Sequence, residues 1–76
     1  MILTQNRLVE LNFTKKNNNG ESYYEKNKFI LKPTAGKWLF CAEHSGYIVT
    51  TLLYIETELE LAMLYKQSTN SNLYEL

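Results

Sequence analysis

Cys41 and His44 stand three residues apart, and Glu56, Glu58 and Glu60 stand two apart. These are the side chains with the widest chemistry in the chain. A cysteine within hydrogen-bond reach of a histidine makes a thiolate nucleophile, and both side chains ligate metals. A structural zinc site needs four ligands, and one cysteine and one histidine do not complete it within one chain. On a continuous strand, positions i and i+3 point to opposite faces. Cys41 and His44 therefore meet only where the chain turns near Glu43. Cys41 reads as a buried structural cysteine and His44 as a turn residue. The three glutamates surround Thr57-Glu58-Leu59-Glu60, a capping box. Negative charge there complements the helix dipole, which accounts for them without acid–base work. The chain has no Gly-rich phosphate loop, no nucleophile elbow and no H-E-x-x-H. The expectation is a protein that is not an enzyme, with no catalytic residue, no metal and no cofactor.

The elements that position these residues follow from spacing. Thr4 caps a short helix reaching Leu11, with Leu3 and Leu8 at the two positions of a hydrophobic staple. Asn12–Lys16 reads as a first strand with Phe13 inward. Asn19-Gly20 is a hairpin signal, so 17–21 reads as a turn and Ser22–Lys26 as the returning strand. Phe29-Ile30-Leu31 is a short strand stopped by Pro33, and Thr34-Ala35-Gly36 turns the chain. Lys37–Ala42 is a strand apolar on both faces. After a tight connection at His44-Ser45-Gly46, Tyr47–Ile55 is the longest strand, rich in β-branched and aromatic residues. Its two-sided apolarity predicts a central place in the sheet. The capping box opens a second helix to about Gln67 or Ser68. Residues 68–72 end it, and the tail from Leu73 to Leu76 docks or frays. The predicted fold class is α+β in one domain, 1–76. It is a small antiparallel β-sheet of four to five strands in a meander, with a short N-terminal helix and a C-terminal helix packed on one face.

Composition narrows the function. The 76 residues are 45% hydrophobic and 13% aromatic, too apolar for a disordered segment. Cys41 is the lone cysteine, so no disulfide staples the core, which fits a reducing, cytoplasmic setting. No apolar run is long enough to cross a bilayer, and no signal peptide or membrane partner is expected. Net charge is zero but unevenly spread. Residues 1–37 hold seven positive side chains against three negative, or +4, and residues 38–76 hold one against five, or −4. The halves either pack together and neutralise each other or present a charged face to a partner.

Two binding classes remain. A protein-binding module would use the basic hairpin residues Lys15, Lys16, Tyr23, Tyr24, Lys26 and Lys28. A second candidate surface is the helix stripe of Leu59 and Met63, opposite Leu61, Leu64 and Tyr65, with self-association into a homodimer as its sharpest use. An RNA or single-stranded nucleic-acid binder would stack bases on Tyr23, Tyr24, Phe29 and Trp38 and hold phosphates with the nearby lysines. A structural or oligomerisation accessory is a further alternative.

Four pieces follow in order: Tyr23-Tyr24, Gly36-Lys37-Trp38, Gly46-Tyr47-Ile48-Val49-Thr50-Thr51 and Leu61-Ala62-Met63-Leu64-Tyr65. That order resembles a loose group of very small proteins of bacterial phages and mobile elements. The resemblance implies context: inhibitors of host defence, such as anti-CRISPR proteins, acting in the host cytoplasm. Such proteins occupy a surface of a larger effector, its protein or its guide RNA, without catalysis. No site residue carries over from the group.

Overall fold

The computed structural model of the chain describes residues 2–18, 20–45 and 47–75. The elements are α1 (Gln5–Glu10), β1 (Thr14–Asn18), β2 (Glu21–Lys26), β3 (Phe29–Thr34), β4 (Lys37–His44), β5 (Tyr47–Ile55) and α2 (Glu58–Thr69). The five strands form one antiparallel sheet in the order β1-β2-β3-β4-β5. Both helices pack on one face of it, which makes the expected α+β meander.

The meander follows from its turns. The flanking pairs are Asn18↔Glu21, Lys26↔Phe29, Thr34↔Lys37 and His44↔Tyr47, so each connection is two residues long. Asn27 and Lys28 both take positive φ, as do Ala35 and Gly36. That is the type I′ pattern, whose twist matches the flanking strands. Gly20 and Ser45 also have positive φ; their predicted turn partners Asn19 and Gly46, like Leu76 of the tail, lie outside the described residues. Asn17 and Asn18 belong to β1 rather than to a turn. The two-residue loop lets β1 run on to Asn18, while Asn12, at φ 72°, leaves α1 in the left-handed region and delays the strand to Thr14.

Pro33 does not stop β3. It pairs with Trp38 inside the strand. Beside a two-residue loop, Thr34↔Lys37 is the hydrogen-bonded pair, so Pro33 turns its missing donor toward β2. The β2–β3 ladder accordingly ends at Tyr24↔Leu31, while β3–β4 continues.

The core lies between helices and sheet. Thr4 Oγ1 accepts from the Arg7 N–H at 3.2 Å, and the staple residues Leu3 and Leu8 are both buried. Phe13, Phe29 and Tyr65 meet edge to face, Phe29 stacks on Phe40, and Tyr24 meets Trp38 edge to face at 5.6 Å. The Trp38 indole N–H donates to the Leu3 carbonyl at 3.0 Å, which ties the N-terminal segment to β4. The capping box of α2 forms as expected, with Thr57 and Glu60 bonded reciprocally. The tail docks: Leu73 is buried, and the Tyr74 hydroxyl donates to Glu58 at 2.7 Å.

Candidate binding surface

β5 is an edge strand, contrary to the expectation of a central one. Its two-sided apolarity faces solvent on both sides. Tyr47 is 76% exposed and Leu52 91%, and Val49, Leu53 and Tyr54 are each about half exposed. Only Ile55, opposite Trp38, reaches the main core. The helix layer is too short to reach this edge: α1 has 6 residues and α2 has 12, and α2 lies over β3. The side chains of β5 that would seal a larger sandwich are therefore left outside it.

A bulge shapes the edge. Leu39 pairs with Tyr54 and Cys41 with Thr50, so two residues of β4 span four of β5. The Thr51 hydroxyl closes the gap. It donates to the Phe40 carbonyl at 2.6 Å and accepts from the Leu53 N–H at 3.1 Å. Leu52 is thereby thrown outward. Beyond the bulge, the Leu3 N–H donates to the Glu56 carbonyl at 2.8 Å and Ile2 bridges Thr57, which covers the end of the strand. The uncovered straight stretch is Tyr47–Thr50.

The hairpin residues selected from sequence divide by strand alternation. Tyr24 and Lys26 point into the helix-side core, and Tyr23 points to the open face, packed on Ile30, Leu39 and Cys41. Lys26 is 8% exposed, so it is no surface contact. Its Nζ donates to the carbonyls of Leu11, Leu73 and Glu75 at 2.6–3.1 Å and lies over the Tyr65 ring. Burial pushes its pKa down, and the Glu75 charge opposes that shift. Lys16 pairs with Glu25 across β1 and β2, and Lys32 with Glu21 at 3.1 Å. Lys15 and Lys28 are exposed. The opposite charges of the two halves partly meet: Arg7 bonds Glu58 and Lys37 bonds Glu56. Phe29, Tyr24 and Trp38, three of the four rings proposed for base stacking, lie in the core.

The stripe of α2 stays open. Leu59 is 71% and Met63 59% exposed, and α1 does not cover them. Tyr74 separates two shallow grooves on this side, one beside Arg7 and Leu59, the other between Met63 and Leu73. At the first groove, Arg7 donates twice to Glu58, at 2.6 and 3.1 Å. With the Tyr74 hydroxyl, that pairing holds the Glu58 carboxyl down at about 2.

No family model matches this chain, and no curated protein and no solved structure matches it. The surface must therefore be read from its own chemistry. Cys41 is fully buried beneath the open face, and burial pushes its thiol up, the reverse of what a nucleophile needs. The side chain of His44 lies outside the described residues. Glu56, Glu58 and Glu60 are engaged with Lys37, Arg7 and the capping box respectively. Among the described residues, no three His, Cys, Asp or Glu side chains gather as metal ligands, and no helix is long and apolar enough to cross a membrane.

What β5 offers is contact: an uncharged run from Tyr47 to Ile55, open backbone groups and five large exposed side chains. Sequence reading missed this surface. The signal was present, because the last strand of a meander is an edge by topology, and a nine-residue uncharged edge has no internal partner to explain it.

Proposed function

We propose that this protein is a non-catalytic binding module that docks a preformed surface, the β5 edge, on a larger protein. One observation carries the reading: the longest strand lies at a sheet edge, bears no charge and exposes Tyr47, Val49, Leu52, Leu53 and Tyr54. Soluble domains normally blunt such an edge with lysine, proline or a covering loop, and exposed apolar patches mark interaction sites. Tyrosines at both ends of the strand suit a contact, since they bring area at low entropy cost. The likeness of the motif order to phage proteins gives the reading its concrete form, a stoichiometric inhibitor of a CRISPR effector.

The test is titration of the purified protein into a target-cleavage assay with a purified CRISPR effector. Inhibition that saturates at a fixed stoichiometry and is lost in Leu52→Lys supports the reading. Loss only on charge reversal at Lys15 and Lys16 moves the site to the hairpin, and loss only in Leu59 and Met63 variants moves it to α2. Full cleavage at excess protein, across effector types, overturns the inhibitor form. The nucleic-acid reading is weaker, because the core takes its stacking rings; a gel shift of single-stranded RNA by the protein alone would restore it.

A further inference from the structure

We propose that β5 pairs antiparallel with β5 of a second copy of this chain across a two-fold axis. The pairing joins two five-stranded sheets into one of ten. It rests on the reading of β5 as the contact surface: the second copy holds the edge in the free protein, and the pair opens before the edge docks on a larger partner.

Charge leaves β5 as the strand of this chain that can pair with its own copy. β1 carries Lys15 and Lys16, β2 carries Glu21, Glu25 and Lys26, β3 carries Lys32, and β4 carries Lys37 and Glu43. Self-pairing of any of these strands would set charged side chains near their own copies. β5 alone has none, so a two-fold pairing brings no like charges opposite within it. The other sheet edge, β1, is Thr-Lys-Lys-Asn-Asn and is guarded by its lysines. An apolar β5 has no match there, so copies close as a pair and do not run on into a fibre.

The strand also sets its own register. His44↔Tyr47 flanks a two-residue loop and is a hydrogen-bonded pair, so Val49, opposite Ala42, is bonded to β4 in the same way. The alternation leaves the N–H and C=O of Ile48 and Thr50 pointing out from the edge. Placing Val49 on the two-fold axis brings Ile48 opposite Thr50 of the second copy, twice, with every outward group satisfied. The bulge and the covered end at Glu56 confine the pairing to Tyr47–Thr50. Three paired residues on each strand, Ile48 to Thr50, make a small interface, so the dimer dissociates on dilution.

Two measurements decide it. Sedimentation velocity over a concentration series should show the 8.9 kDa chain moving toward twice that mass. Val49→Lys should stay monomeric with an unchanged circular dichroism spectrum, and Met63→Lys should still dimerise. Val49→Cys tests the register, because non-hydrogen-bonded partners on the axis lie within disulfide reach. It should give a covalent dimer on mild oxidation, and Leu59→Cys should not. A wild-type chain monomeric at every concentration overturns the proposal. So does a dimer that Met63→Lys dissociates and Val49→Lys does not, or one that neither variant affects. A monomer that still titrates an effector overturns the dimer alone and leaves the docking function standing.

Discussion

Lys26 shows how one side chain can change meaning between sequence and structure. In the chain it belongs to a basic hairpin; in the fold its ammonium holds three backbone carbonyls, that of Leu11 just after α1 and those of Leu73 and Glu75 in the tail. Lys26→Met keeps the stem and removes the donors, leaving three carbonyls short of a partner. It should cost about 2–3 kcal/mol, read as a lower urea midpoint at constant slope. Glu58 gives a pH dependence with a definite sign. Its carboxyl sits at about 2 in the fold against an ordinary 4.5, so its stabilisation is complete above pH 4.5 and fades as pH falls toward 2. The pair is largely solvated, so screening discounts the effect. Wild type should lose more stability than Arg7→Gln between pH 6 and pH 3, measured by thermal melts.

The elements are held by their ends. Ala35 sits at φ 48° beside Gly36 at φ 80°, a left-handed position that costs an alanine about 1 kcal/mol. Ala35→Gly should relieve that strain and raise stability by about 0.5 kcal/mol after the added freedom of the unfolded chain, visible as a small rise in denaturant midpoint. Cap chemistry was legible from Thr4, Thr57 and Glu60, and the place of the turns from Gly20 and Gly36, because they act within a few residues; the two-residue length of each connection was not, since it is fixed by the pairing of the flanking strands. Pro33 was misread for the opposite reason. A proline breaks only the ladder its nitrogen faces, and that face is set by register with β4, a non-local fact.

At the scale of the whole molecule, two short helices cover part of a five-stranded sheet, and the apolar strand left exposed is β5. Leu52 contributes almost nothing to the core, so Leu52→Lys should leave stability within about 0.5 kcal/mol of wild type. The same change should shorten retention on a hydrophobic-interaction column. Destabilisation well beyond that range would mean that Leu52 packs inward.

The amino-acid sequence by itself determined the element types, the tight turns, the α+β class and the capping of both helices, since these depend on propensity and on neighbours a few positions away. The alternation that sends Tyr24 and Lys26 inward and leaves Tyr23 on the open face was implicit in it. Only the tertiary structure decided which apolar residues stay in water. Tyr47–Ile55 and Leu59 are as apolar as many core segments, and their exposure depends on how far 18 helical residues reach across the sheet. Coverage is a property of the assembled layers, and no local pattern encodes it.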